Sequence, residues 1–276
     1  MELKNKIDFT IVIAAENCNP NGDPTCYNQP RRDFDGHGEM TNVCLKRKIR
    51  DRLQERGESI FFQSDSHISD GCLSLKQRAE NCAELQKEIS KKKDANVKLC
   101  EKIVCEKWFD VRTFGSVFAF KGQSVSFGVR GPVSITHART LEPVDIVTFQ
   151  YTKSMNSHDE SFDYDNARIG TRSFIQKGAY VACGSIFPQL AEKTGFSQED
   201  AEVLKEAMKN LLDNDASDFR PSGSMTSFLF WWSHNSSIGA MPSARVFRTL
   251  HISPTPEWPF FTVSPEEIPG VVLEQY

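Results

Sequence analysis

Asn17–Arg56 (NCNPNGDPTCYNQPRRDFDGHGEMTNVCLKRKIRDRLQER) holds the densest set of side chains suited to one kind of chemistry. Asn19, Asn21 and Arg31 lie in a stretch punctuated by Pro20, Gly22, Pro24, Pro30, Gly36 and Gly38. That punctuation makes the stretch a loop, neither helix nor central strand. Lys46, Arg47 and Arg50 follow it. Asparagine amides, guanidinium forks and the open N–H groups of a glycine-rich loop all suit phosphate or ribose oxygens. From Thr41 to Arg56 six basic residues stand against two acidic ones, Asp51 and Glu55. The set points to a phosphate-bearing ligand held without preference for base sequence. A solvated helix face would carry the same charges, so charge alone leaves both readings open.

Catalysis finds fewer footholds. None of the six histidines (His37, His67, His137, His158, His234, His251) sits in an H-E-x-x-H pattern, and no G-x-S-x-G, P-loop or G-x-G-x-x-G occurs. Asp23, Asp33 and Asp35 share the long loop and could hold a metal or act as a base. Aspartates in such loops, N-G-D-P above all, are commonly turn-formers, and nothing pairs with these three at a defined spacing. The eight cysteines show no C-x-x-C and no zinc-finger spacing, so they read as reduced packing thiols. The expectation is a binding protein without enzymatic activity, metal or cofactor.

The elements that must position these groups follow from pattern. Asp8–Ala15 is an apolar, β-rich run that leads into the loop. Thr41 is an N-cap candidate for the basic helix. At about 100° per residue, Lys46, Arg47 and Arg50 share one arc and Leu45, Ile49 and Leu53 the next. One face can rest on a core while its neighbour offers three cations. Ser59–Phe62 reads as a short strand, and Leu75–Lys93 and Asn96–Lys107 as two helices of an insertion with nine basic and six acidic residues from Lys76 to Lys107. Trp108–Phe120 returns to aromatic and β-branched residues. Strand candidates follow at Ser124–Gly128, Val133–Thr136, Val144–Tyr151, Ser173–Ser185 and Thr226–Ser233. Ser197–Leu212 is a helix with a capping-box start at Ser197 and Asp200. Trp231 and Trp232 point to opposite faces of their strand, so at most one could stack on a base. Thr152–Thr171 is polar and acidic yet carries Met155, Phe162, Tyr164 and Ile169, which fits a projecting hairpin better than a linker. The tail from Pro254 is expected to wrap the surface. The order β, α, two or more β, α, β is α+β, of the split βαβ or ferredoxin-like kind. Residues 1–276 form one domain with insertions.

Net charge of −4 and a pI near 5.9 argue mildly against a nucleic-acid binder. The acids, however, gather in Asp159–Asp165, Glu199–Asp218 and the tail, which permits a local cationic groove on an acidic body. No run reaches the roughly 18 apolar residues of a membrane span. The N-terminus lacks a secretory h-region, so a cytoplasmic location is expected.

Several motifs, in this order, resemble one family: NPNGDP (Asn19–Pro24), N-x-P-R-x-D (Asn28–Asp33), G-x-G-x-x-T-N-V-C-L-K-R-K-I-R (Gly36–Arg50), D-V-R-T-F-G (Asp110–Gly115), R-G-P-V (Arg130–Val133) and AEKTGFS-x-ED (Ala191–Asp200). The family is the backbone subunit of type I CRISPR Cascade complexes, in the RAMP superfamily, and the motifs are most like subtype I-C. DASDFRPSGSM and WWSHNS also look like subtype I-B members. The chain departs from the family pattern at Asn42, where relatives often carry Asp, and at Lys177, where many carry an aromatic.

The resemblance implies a hand-shaped protein: a ferredoxin-like palm, helical fingers at residues 63–107 and a thumb hairpin at about 150–172. It implies that copies stack head to tail along a CRISPR guide RNA, that target DNA is recognised by pairing to the guide, and that other Cascade subunits and a recruited effector nuclease–helicase are partners. Carried over residue by residue, Asn19 and Asn21 lie beside the guide, and Arg31, Lys46, Arg47 and Arg50 contact its phosphates. Arg112 and Arg139 are further groove candidates, Met155 and Phe162 wedge candidates, and Arg172 and Lys177 mark the return to the palm. Two alternatives remain on the sequence: a RAMP-type endoribonuclease using the loop aspartates or His137, and an RNA chaperone acting alone.

Overall fold

A computed structural model of the chain describes residues 1–120, 125–152 and 169–276. The wedge candidates Met155 and Phe162 lie outside the described residues. The organising element is β1 (Ile7–Cys18), buried on both faces through Ala15. Phe9, Ile11, Ile13 and Ala15 join one core cluster, and Val12 and Ala14 join another on the opposite face. Two covered faces explain why the run is apolar throughout instead of alternating.

The loop after β1 contains the paired dipeptides β2 (Gly22–Asp23) and β3 (Gln29–Pro30), then β4 (His37–Met40) and α1 (Asn42–Glu55). Thr41 caps α1 as expected, its hydroxyl accepting from the Cys44 N–H at 3.1 Å. Next come α2 (Leu75–Glu80), α3 (Ala83–Ile89), α4 (Val97–Lys107) and α5 (Phe109–Phe114). The strands β5 (Ser116–Phe118), β6 (Phe127–Val129), β7 (Val133–Ile135), β8 (Ala138–Pro143), β9 (Ile146–Thr152) and β10 (Ile169–Ile186) follow. The chain then forms α6 (Pro188–Thr194), α7 (Gln198–Lys209), β11 (Met225–His234), α8 (Ser243–Arg248), β12 (Leu250–Pro254), β13 (Phe261–Pro265) and β14 (Val271–Gln275).

The main sheet is antiparallel, in the order β14-β11-β1-β10-β8-β4, with β7 and β9 also paired to β10. Along β10 the partners run Ile135↔Gly184, Arg139↔Val181 and Ile146↔Ile175. At each step the β7–β9 side gains one residue. Such extra residues bend and twist a ribbon. Pairing continues to Thr152↔Ile169, so β9 and β10 form an antiparallel hairpin pair whose last described residues are Thr152 and Ile169.

One sheet face carries α1 and α7, with Leu45, Ile49 and Leu53 against Leu204, Ala207 and Met208. The capping box of Ser197 and Asp200 is present at the start of α7. The other face carries α8 and the β12–β13 pair over Val12, Ala14 and Trp232. Trp231 stacks on Phe9, with centroids 5.8 Å apart, while Trp232 meets Phe247 on the opposite face. Both tryptophans are fully buried, so neither is open to a base. Gly184 makes the Phe9 position possible, because a Cβ there would lie 2.2 Å from the Phe9 ring.

Helices α2–α4 and the β5–β6 pair enclose a separate cluster that includes Phe61, Leu85, Val104, Trp108, Phe118 and Phe127. Here local expectations need correction. Ser59–Phe62 is not a strand, because the Phe61 and Phe62 N–H groups donate to the Asp110 carboxylate at 2.7 and 3.1 Å, not to a sheet ladder. The helix expected over Leu75–Lys93 breaks at Asn81–Cys82, where buried Cys82 is extended and begins α3. Trp108–Phe120 starts as a helix and turns to strand only after Gly115, whose φ of 80° ends α5. The tail from Pro254, expected to wrap the surface, completes β12 and then supplies β13 and the edge strand β14.

Candidate nucleic-acid interface

The end of the sheet where β1 finishes, β11 begins and β9 pairs with β10 carries the loop after β1 and the loop before β11. The Asn19 N–H donates to the Phe219 carbonyl at 2.7 Å, which ties the loop after β1 to the loop before β11. The Asn19 side-chain amide donates to the Asn28 carbonyl at 2.7 Å, and Asn21 Oδ1 accepts from the Thr41 N–H at 2.9 Å. Both asparagines therefore shape the loop and fix it to the start of α1. Asn19 is almost wholly buried, yet its Oδ1 meets no partner among the described residues.

The cations fall into separate groups. Lys46 sits 5.1 Å from the Phe114 ring centroid, and no carboxylate pairs with it among the described residues. Burial, and then the neighbouring Arg50 charge, lower its pKa from the ordinary lysine value. Arg47 donates to the Phe62 carbonyl and lies 3.7 Å from Asp51. Arg50 is buried. Its Nε donates to Asp110 Oδ2 at 2.9 Å, and its guanidinium lies over Phe62 and Phe114. The helix thus offers two cations at its surface instead of the expected three. The third serves the core, because Asp110 needs a counter-charge where water cannot reach it.

Arg112 is also committed. It forms a two-pronged pair with Asp200 at 2.8 and 3.1 Å, and the same Asp200 completes the capping box of α7. Arg139 is half exposed and pairs with Asp33 and Asp35 across the loop. Burial works against the Asp33 charge, but Arg139 and the His37 N–H outweigh it and hold the carboxyl below its usual range. Arg31 faces Asp23 at 3.4 Å, and its buried Nε meets no partner among the described residues. Arg172 lies between the Tyr151 and Phe219 rings, 5.1 and 5.3 Å from their centroids, and donates to Asp218 at 2.8 Å. Lys177 donates to the Pro256 carbonyl and sits over Phe260, against the β12–β13 side. The structure gathers Lys46, Arg47 and Arg50 around Phe62 and Phe114. It places Arg31 and Arg139 on the loop, Arg172 at the hairpin base, and Arg112 and Lys177 apart from them.

Sequence reasoning missed several groups at this end. Lys48 is buried against Asp215, which Arg220 also reaches at 2.9 Å, so the loop before β11 is pinned to α1. Arg32 is exposed and takes no ion pair among the described residues. Its one legible signal was adjacency to Arg31. Asn19 Oδ1, Arg31 Nε, Arg172 Nε and Ser224 Oγ are buried around these loops and meet no hydrogen-bond partner among the described residues. A cavity of about 380 Å³ opens between the loop and the start of β9, lined in part by Asp23, Arg31, Arg32, Phe34 and Ile146. Among the described residues no cluster of three or more His, Cys, Asp or Glu is placed to hold a metal ion. No helix among them is long and apolar enough to cross a membrane.

The fold and this end define a class: a mixed α/β protein whose antiparallel sheet carries, at one end, an asparagine- and glycine-rich loop and incompletely compensated cations. The family follows from sequence. Residues 5–267 match the CRISPR-associated protein Cas7 family, and the chain belongs to it. A curated relative described as CRISPR-associated protein Cas7, from Haloferax volcanii, is 28% identical over 225 residues. That alignment covers 74% of this chain and 63% of the relative, so the chain spans less than two thirds of that protein's length. Among solved structures, a chain of a CRISPR RNA-guided surveillance complex in its pre-nicking state is similar in fold, with a TM-score of 0.53, 12% identity, and coverage of 82% of this chain and 78% of that one.

Proposed function

We propose that the protein is the guide-binding backbone subunit of a type I CRISPR surveillance complex, with no catalytic step of its own. In this reading β11, β1, β10 and β8, with α1 and α7, are the ferredoxin-like palm. The helices within residues 63–107 are the fingers. The β9–β10 hairpin, about 150–172, is the thumb, and Met155 and Phe162 are its wedge. Copies stack head to tail on the guide in the cytoplasm, in an I-C-like complex. The guide pairs with target DNA, and further Cascade subunits and an effector nuclease–helicase complete the assembly.

The observation that carries the reading is Lys46. It is a partly buried ammonium beside a second cation, with no carboxylate to answer it among the described residues. A phosphate would supply the missing charge. The capped start of α1 and the Asn21 tether hold that cation next to the loop.

The test is binding of single-stranded RNA by the full chain. Affinity should be independent of base sequence and fall steeply with salt. The double variant Lys46→Glu, Arg47→Glu should lose binding and fail to assemble on guide RNA while keeping its helical signal. Undiminished assembly by a folded double variant would overturn the reading.

A further inference from the structure

We propose that Phe34 and Arg32 form a nucleotide clamp on the loop, with the Phe34 ring stacking on a base of bound single-stranded RNA and Arg32 holding the adjoining phosphate. The inference rests on the RNA-binding reading above. It adds a point at which a base is touched, not only the backbone.

The Phe34 side chain is fully exposed (104%), and Tyr27 on the same loop is close behind (97%). Phenylalanine is among the residues most often buried, and this chain has ample core to take it. Phe34 also borders the cavity of about 380 Å³ shared with Arg31, Arg32 and Ile146, a volume within the range of ligand pockets, about 300–1,000 Å³. Ile146 opens β9, so the cavity lies at the foot of the hairpin.

The charges of this cavity are unevenly spent. Asp33 accepts from the Asp35 and His37 N–H groups, each at 2.9 Å, and pairs with Arg139. Asp23 accepts from the Thr25 N–H and hydroxyl at 3.0 and 2.7 Å and faces Arg31 at 3.4 Å. Both acids are thereby answered. Arg32 is not, since it stands exposed with no acid partner among the described residues. Arg31 also keeps a buried Nε that meets no partner among the described residues. An uncommitted guanidinium beside an open aromatic face is the combination that holds single strands, the cation taking phosphate and the ring taking a base. Because every base has a π-face, such a clamp adds affinity without reading sequence.

The test uses the full chain and a short single-stranded RNA carrying one 2-aminopurine, scanned through its positions. Stacking on Phe34 quenches the probe in one register. Phe34→Ala should relieve that quenching and weaken binding roughly tenfold, the scale of one lost base–aromatic stack. Phe34→Trp should restore both. Arg32→Gln should leave quenching in place and lower the salt slope by about 0.7. The Phe34 ring is fully exposed among the described residues, so these variants keep the fold, which circular dichroism checks. If Phe34→Ala quenches and binds like the parent, the clamp is overturned while RNA binding stands. If it behaves like the parent on short RNA but no longer forms multi-copy assemblies on long RNA, Phe34 is a protein–protein contact and the clamp is again overturned. Failure of the parent chain to bind RNA at all would overturn the underlying reading instead.

Discussion

The Arg50 guanidinium donates to Asp110 Oδ2 at 2.9 Å inside the protein, and the other Asp110 oxygen accepts the Phe61 N–H at 2.7 Å. One cation of the basic helix thus binds α1 to α5 and supports the carboxylate that holds the Phe61–Phe62 backbone. Arg50→Ala would leave Asp110 charged and buried without its partner, so a loss of about 3–5 kcal/mol is expected. Arg47→Ala, which breaks a partly exposed pair and one carbonyl contact, should cost about 1 kcal/mol or less. Urea denaturation of the two variants checks the contrast. Equal losses would mean that Arg50 is no more structural than its neighbour.

Lys46 should behave in the opposite way. Its removal takes one cation from beside Arg50 and leaves no acid unpaired among the described residues. Lys46→Ala is expected to change stability by no more than about 0.5 kcal/mol, yet to weaken RNA binding and lower the salt slope by about 0.7. Parallel melts and salt titrations separate the two effects. A large drop in melting temperature would show a structural role instead.

A buried polar network gives a pH test. Burial of Asp8 works against its charge, but hydrogen bonds with His234, Ser185, Ser243 and Lys6 outweigh it, so the carboxyl titrates below its ordinary value of 3.8. His234 Nε2 lies 2.9 Å from Asp8, and His234 Nδ1 accepts the Ala240 N–H at 3.0 Å. Since the folded pKa is the lower one, the stability from Asp8 is fully present above the unfolded value and is lost as pH falls through the folded value. Asp8→Asn should therefore be clearly less stable than the parent near neutral pH. That gap should narrow below about pH 4. Denaturation curves across this range check the sign, and a gap that widens in acid would refute it.

The cysteines should react in a defined order. Cys26 alone among the eight is exposed, and it lines the cavity beside Arg32. Burial pushes the Cys18 thiol up to about 11 and the Cys105 thiol to about 12. Reaction with a thiol reagent at neutral pH should label Cys26 first, and single-stranded RNA should slow that step. Peptide mapping of the first adduct reads the outcome. RNA that leaves the Cys26 rate unchanged would argue that the cavity lies off the binding path.

Much of the frame was legible because it depends on local pattern. The apolar run at β1, the Thr41 cap, the capping box at Ser197 and the stripe of α7 each state their structure within a few residues. Where local pattern failed, a distant partner had intervened. Ser59–Phe62 has the composition of a strand, but the Asp110 carboxylate, roughly fifty positions on, supplies its hydrogen bonds. Leu75–Lys93 has the composition of one helix, but the packing of Cys82 splits it.

The candidate site divides along the same line. The residue types and order of the sequence by themselves determined the family, the loop-then-helix arrangement and the presence of a cationic stretch on an acidic chain. Helical spacing put Lys46, Arg47 and Arg50 on one arc, and no more than that follows from spacing. Only the tertiary structure decided which of these charges were already answered. Asp110, Asp200 and Asp218 come from other parts of the chain to meet Arg50, Arg112 and Arg172, whereas Lys46 and Arg32 meet no acid among the described residues. The reason is that a charge's role depends on its counter-charge and its exposure to water, and both are set by groups far away in sequence and near in space.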